Sequence, residues 1–407
     1  MQVQKLYVNS QRLQETIEHF AAFGRTKNQG VTRLSLAQED IAARDYFCSC
    51  CAEIGMHIKF DDMGTIYATM DGTENIPPVA MGSHLDSVTK GGRFDGVLGV
   101  IAGLEIARTL VDHQIKPRHP LTIINFTNEE GARFEPSMMA SGVLSGKFDK
   151  ATMLMKRDID GVTFDDALTA SGYLGSMDNR LTAAAAYLEL HIEQGPVLEN
   201  EALSIGVVDC VVGMVCYEIE VTGESNHAGT TPMHVRKDAF FAAQDMMVAL
   251  RGKLNELDPE LVYTMGRVHV FPNIHTVIPN KTIFTLEARH KNEDVIREVE
   301  AIIGNLPNLQ AGCGVKKTKL WSRNTVWFDD GICKLVEQST QLLGYSSKRM
   351  ASGAGHDAQF VAGFLPSAMI FVPSTQGKSH CEEEYTSYED CEKGVNVLLQ
   401  TVISLIS

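Results

Sequence analysis

From residue 78 onward, short runs that are wholly apolar alternate with longer amphipathic ones, and this rhythm limits the fold more than any other feature of the chain. PVAMGS (78–83) and LTIINFT (121–127) have the length and composition of buried strands. GVLGVIAGLEIARTLVDHQ (96–114), between them, reads as a helix, so the three segments make a βαβ unit. AYLELHI (186–192) and SAMIFV (367–372) repeat the strand character, and EDCEKGVNVLLQTVISLIS closes the chain as an amphipathic helix. Strands that are apolar on both faces need helices above and below them. The expected class is therefore α/β, with a doubly wound, mostly parallel sheet.

The order changes between residues 210 and 324. There the chain reads strand (216–223), helix (238–257), two strands (261–271 and 281–290), helix (293–306) and strand (314–321), a split βαβ or ferredoxin-like α+β arrangement of about one hundred residues. Val295, Ile296, Val299, Ile302 and Ile303 fall on one stripe of the second helix, as a face packed on a sheet requires. A chain of 407 residues has room for both units. The division expected is a discontinuous domain of 1–209 and 325–407, with 210–324 inserted.

Composition excludes several classes of function. With 51 acidic and 36 basic side chains, the net charge of -15 repels nucleic-acid phosphates and anionic membranes, so neither is an expected partner. The nine cysteines are scattered without a repeated CxxC pair, which suits reduced thiols. The crowded Cys48, Cys50 and Cys51 read as helix-face and core thiols. The N-terminal residues lack the apolar core of a signal peptide, and the longest apolar runs are short or interrupted for a membrane span. A soluble, cytoplasmic protein is expected.

Polar residues with metal-binding capacity stand at the strand ends, where open α/β sheets place their ligands. His84 and Asp86 follow the first strand, Asp95 opens the helix after it, Glu129 and Glu130 follow LTIINFT, His191 interrupts AYLELHI, and His380 follows SAMIFV. Singly each is weak, since a strand-end histidine is commonly a hydrogen-bonded structural residue and Asp95 could serve only as an N-cap. Two adjacent carboxylates at the mouth of an apolar strand say more, because buried like charges are costly without a cation or a shared proton. Together the set supplies what a two-metal hydrolase needs: a carboxylate to bridge two cations, two further ligands for each, and a carboxylate to take a proton. Oxygen and imidazole donors without thiolate suit Zn, Mn or Co. Spacing leaves open which of Glu129 and Glu130 is ligand and which is base.

GSHLDSVTKGGRFDGVLGVIAGLE, FTNEEGARF, ELHIEQG, GESNHAGTTPM, ASGAGHDAQ and KSHCEEE, in this order over nearly the whole chain, resemble the M20 family of dinuclear metallohydrolases. More narrowly they resemble its amidase branch of N-carbamoyl-L-amino acid hydrolases, β-ureidopropionases and allantoate amidohydrolases. ELHIEQG separates that branch, because its histidine stands where peptidase members usually carry an acidic ligand. The resemblance implies that Asp95 bridges the two divalent cations, that Glu130 and His380 complete one site, and that His84 and His191 complete the other. It makes Glu129 the general base and Asp86 the carboxylate that orients the His84 imidazole. It makes the inserted domain a lid and a homodimer contact, with His227 reaching the active site of the partner chain to stabilise charge on the scissile carbonyl. Without the resemblance, His227 reads as a loop residue. Arg289 matches the arginine that grips the substrate carboxylate, Gln194 contacts its carbamoyl end, and Gly353 and Gly355, beside His356, let the backbone approach it. One position departs from the pattern: Thr276 stands where the family generally has Asn, with Asn273 or His275 placed to compensate.

The function implied is hydrolysis of the ureido C–N bond of a small substrate with a free carboxylate, first an N-carbamoyl-L-amino acid and alternatively allantoate. A dipeptidase or aminopeptidase is the further alternative, and His191 speaks against it. A catalytically dead scaffold would have lost ligands, whereas all five ligand positions and the base carry competent residues here.

Overall fold

A computed structural model describes residues 5–406. The chain forms two compact units, the first running to Asp209 and resuming at Trp327, the second spanning Cys210–Val326.

The first unit is built on a nine-stranded sheet. Its centre is parallel, in the order Leu121–Phe126, Val79–His84, Ala186–Ile192, Ser367–Val372. Every residue of these four strands is buried, which is why they read as continuous apolar runs. Helices Val97–Asp112 and Tyr388–Ile406 pack on one face. The opposite face meets the short helix Asp357–Val361, where the Ala358 N–H donates to Glu189 at 2.9 Å. The sheet edges are antiparallel: Ile66–Met70 lies beside Leu121–Phe126 with His57–Phe60 outside it, and Ile205–Val211 lies beside Ser367–Val372. His57–Phe60 escaped the sequence reading because it is short and only half-buried, so it lacks an apolar run.

The second unit is an antiparallel sheet centred on Gly213–Thr222, which pairs with Lys281–His290 on one side and Cys313–Arg323 on the other. Helices Ala239–Leu257 and Glu293–Gly304 cover one face through a core that includes Val215, Ile219, Met246, Phe284, Val299 and Ile303. The strand expected over 261–271 is two strands, Val262–Thr264 and Val268–Phe271, each paired with Lys281–His290. All nine cysteines are free. Among the described residues no helix is long and apolar enough to cross a membrane.

Candidate metal centre

The carboxyl ends of the central strands and the start of helix Val97–Asp112 bring their polar residues together. His84 ends the first strand and His191 is the sixth residue of its neighbour; both are buried. Asp95 lies in the turn before helix Val97–Asp112. Gly96, between them, has φ +68°, and a Cβ there would lie 2.1 Å from the His84 ring, so the helix can start beside that imidazole only with glycine.

The two carboxylate oxygens of Asp95 face different partners. Oδ1 is 3.1 Å from His191 Nε2 and 3.8 Å from His84 Nε2. Oδ2 is 3.5 Å from His380 Nε2, which is itself 3.3 Å from Glu130 Oε2. His84, Asp95 and His191 form one group of donors spaced for a metal ion, and Asp95, Glu130 and His380 form a second. Tetrahedral coordination with bonds of 2.0–2.2 Å puts ligand atoms about 3.3–3.6 Å apart, close to these separations. The imidazoles are oriented for it: His84 Nδ1 lies 2.9 Å from the Asp86 carbonyl and His191 Nδ1 lies 2.9 Å from the Ile192 carbonyl. With each Nδ1 turned to a backbone carbonyl, each Nε2 is left facing Asp95, where a cation could take the place of a proton.

The charges in the cluster fit a cation as well as the distances do. Burial, and then the negative charge of Asp357, Glu130, Asp86 and Asp95, pushes Glu129 well above the ordinary carboxyl range. Glu130 is pushed the same way by burial and then by Asp95, Asp86 and Glu384. Its Oε1 is buried without a hydrogen-bond partner among the described residues. Burial opposes the charged form of Asp95, but His191, His84 and His380 outweigh it and hold that carboxyl far below the usual range. Burial lowers His84 to about 4. For His191 the attraction of Asp95 overcomes burial and lifts the imidazole to about 9. A third grouping, Glu189 with His191 and His356, shares His191. Its carboxylate already accepts from Ser83, Tyr187 and the Ala358 N–H, which marks it as a hydrogen-bonded group rather than a free donor.

Glu129 belongs to neither of the Asp95 groups. Its Oε2 is 3.5 Å from His84 Nε2. The role expected for Asp86 needs correction. The His84 ring is held by the Asp86 backbone carbonyl, and the Asp86 carboxylate is 3.9 Å from Nδ1. The chain turns back after His84, so that carboxylate reaches the next strand end and accepts the Glu129 and Glu130 N–H groups at 3.2 Å each. Burial and then Asp40 raise it to about 7.

Gln194, expected at the substrate, donates to Asp95 Oδ2 at 2.7 Å. Ser379 lies 2.9 Å from the same oxygen. Glu384 accepts the Asp95 N–H at 3.1 Å. Neither Ser379 nor Glu384 was singled out by the sequence. His356 is buried, its ring edge-on to His191 at 4.6 Å and its Nε2 2.9 Å from Ser352 Oγ, while Gly353 is exposed.

The remaining candidates belong to the second unit. His227 is exposed and bridges to Val277, and the Ala228 N–H donates to the Thr276 carbonyl at 2.9 Å, so His227 and Thr276 sit on adjoining strands of chain. His227 Nδ1 accepts the Gly229 N–H at 3.0 Å. Asn273 has φ +61° in the neighbouring loop. Arg289 donates through Nε and Nη2 to Glu287 Oε1 at 2.9 and 2.7 Å.

The peptidase family M20/M25/M40 model matches residues 80–404. An N-carbamoyl-L-amino-acid amidohydrolase of Rhizobium meliloti is 37% identical over 97% of this chain and 96% of its own length. An allantoate amidohydrolase of Bacillus subtilis is 33% identical, with 100% of each chain covered. The crystal structure of a hydantoinase/carbamoylase family amidase from Burkholderia multivorans superimposes with a TM-score of 0.92 at 37% identity, covering 98% of each chain. With the family model matched across most of the chain and these relatives aligned over nearly all of it, the chain belongs to peptidase family M20/M25/M40, in its amidohydrolase branch.

Proposed function

We propose that the chain is a metal-dependent amidohydrolase that cleaves the ureido C–N bond of a small carboxylate substrate, in the first place an N-carbamoyl-L-amino acid. One observation carries this reading: the two oxygens of Asp95 face two separate donor groups, and a further carboxylate, Glu129, stands beside them. The names of the relatives from Rhizobium meliloti and Bacillus subtilis support the substrate class.

In this reading His84 and His191 would hold one divalent cation, Glu130 and His380 would hold a second, and Asp95 would contribute an oxygen to each. Zn, Mn and Co suit the donors. When bound, such cations polarise a carbonyl and acidify a water. Glu129, which stands beside His84 and belongs to neither donor group, takes the proton of the attacking water and returns it to the leaving nitrogen. His227 accepts at Nδ1, so its proton is on Nε2, from which it donates to the oxyanion that develops on the carbonyl. The planar fork of Arg289 exchanges Glu287 for the substrate carboxylate. Gln194, Thr276, Asn273, Gly353, Gly355 and His356 are assigned to the remaining substrate contacts. The products of a ureido substrate are the amino acid, carbon dioxide and ammonia.

The second unit is proposed as lid and as the contact of a two-fold homodimer. On helix Ala239–Leu257 the residues Phe240, Phe241 and Val248 are exposed, opposite the side that packs in the core, and they offer an apolar face to a second copy.

The test is ammonia release by Mn- or Co-loaded enzyme from N-carbamoyl-L-amino acids, β-ureidopropionate and allantoate. Fastest turnover of an N-carbamoyl-L-amino acid is expected. Preference for allantoate would select the alternative substrate. Cleavage of dipeptides with no ammonia released from any ureido compound would overturn the reading.

A further inference from the structure

The Glu384 carboxylate, four residues after His380 in sequence, sits between the segments that carry Asp95 and His380. It is 4% exposed. Its Oε1 accepts two consecutive backbone N–H groups, from Phe94 at 3.2 Å and from Asp95 at 3.1 Å. Its Oε2 lies 3.1 Å from Ser379 Oγ, and that hydroxyl lies 2.9 Å from Asp95 Oδ2. Gln194 Nε2 completes the arrangement, 2.7 Å from Asp95 Oδ2 and 3.3 Å from Ser379 Oγ. The Asp95 turn is thus held at its backbone by Glu384, and its side chain is held by Ser379 and Gln194.

The local sequence is shaped around this carboxylate. A Cβ at Gly92 would lie 1.9 Å from Glu384 Oε1, so any other residue there would displace it. The ring of Phe94 packs against those of Tyr385 and Tyr388, at 5.7 and 6.2 Å between centroids, which fixes the same junction from its apolar side.

A bridging carboxylate must present its two oxygens in two directions at once, and a small rotation spoils both. We propose that Glu384 is a positioning residue: through the Asp95 backbone and through Ser379 it sets the orientation of the Asp95 carboxylate toward the His380 and Glu130 side. The inference rests on the metal-centre reading above. Glu384 belongs to neither donor group and reaches Asp95 through its backbone N–H and through Ser379. It acts by lowering the freedom of a ligand that must serve two sites, as groups behind metal ligands do.

The experiment titrates cobalt(II) into metal-stripped wild type, Glu384→Ala, Glu384→Gln and Ser379→Ala. It follows the visible absorption of the bound ion and the melting temperature with and without metal. Wild type is expected to take up two equivalents. Glu384→Ala is expected to weaken one of the two by about 10- to 100-fold, the range for groups that orient metal ligands. Glu384→Gln should lose less, since its carbonyl oxygen can still accept both N–H groups. Ser379→Ala should weaken the same equivalent, and it carries the test if Glu384→Ala does not fold. A merely structural role lowers the melting temperature equally with and without metal and leaves affinity unchanged, whereas a positioning role shrinks the increment that metal adds. Two equivalents bound with wild-type affinity by Glu384→Ala, or by Ser379→Ala where the former is unfolded, would overturn the proposal and leave the metal-centre reading intact. No cobalt uptake by wild type would overturn both.

Discussion

The strand-end cluster of the first unit and the candidate residues of the second are held in opposite ways. In the first, His84, Asp95, Glu129 and His191 are buried, and the imidazoles and the Glu129–Glu130 turn are oriented through backbone carbonyls and N–H groups. In the second, His227, Asn273 and Thr276 are exposed, and Arg289 is paired with the neighbouring Glu287. A buried like-charged cluster has few explanations other than a cation or shared protons, so its chemistry follows from its own geometry. Exposed residues with local partners acquire a role only through what comes to meet them. The first region is a buried, preorganised cluster of donors, and the second is a set of exposed or locally paired side chains.

The largest effect that separates the two regions is expected inside the buried cluster. Glu129→Gln should keep its metal, measured as bound cation per chain, and lose about 10²- to 10⁴-fold in kcat, the scale of a missing general base. If Glu129→Gln loses metal and Glu130→Gln keeps it, the two carboxylates have exchanged roles.

Next comes His227→Ala, expected to lower kcat by about 10²- to 10³-fold, as loss of one oxyanion donor does. Mixing His227→Ala chains with Glu129→Gln chains sharpens the contrast. If the histidine serves the partner chain, a mixed dimer holds one doubly defective site and one intact site, and activity returns. Unrecovered activity despite demonstrated subunit exchange places His227 in its own chain and removes the shared site.

A smaller effect is expected for Arg289→Lys, which keeps the charge and removes the fork: KM for the carboxylate substrate should rise about tenfold, close to 1.4 kcal/mol, with kcat little changed. A fall in kcat at constant KM would show that Arg289 does not grip the substrate.

The smallest effect concerns pH. His191 is raised from 6.5 to about 9, so its contribution to stability is complete below pH 6.5 and is lost as pH climbs through 9. Asp86, raised from 3.8 to about 7, acts in the same direction, but its share is lost between pH 3.8 and about 7 and is nearly spent where the His191 window opens. Metal-stripped protein should therefore lose stability between pH 6.5 and 9, read as a falling urea midpoint. Metal-loaded protein, with His191 Nε2 holding a cation, should not follow. Equal slopes for the two forms would remove His191 from the ligand set.

What the sequence revealed and what it hid have the same physical origin. Val79–His84, Leu121–Phe126, Ala186–Ile192 and Ser367–Val372 were legible because burial on both faces leaves an apolar run, and the candidate metal donors stand out as polar residues interrupting or following such runs. His57–Phe60, on an antiparallel edge, has no such run. Glu384 was hidden because it is the last of three successive glutamates on a loop, and only the folded chain shows that it, rather than Glu382, points inward: Glu382 meets Asn28 at the surface. Asp86 holds the His84 ring through its carbonyl and the Glu129 N–H through its carboxylate, a division that sequence distance from His84 does not reveal. No motif in the sequence marks Arg44. It lies fully buried, paired with Asp40 at 2.8 Å and donating to Thr127 at 3.1 Å, just before the glutamates.

The reading of the whole molecule turns on Asp95. Crystals of manganese-loaded protein, measured for anomalous scattering, should show two peaks in each chain. One should lie about 2.0–2.2 Å from His84, His191 and Asp95 Oδ1, and the other at that distance from Asp95 Oδ2, Glu130 and His380. A single peak, a peak bound by Glu129 in place of Glu130, or ions bound only elsewhere on the chain would contradict a dinuclear centre bridged by Asp95.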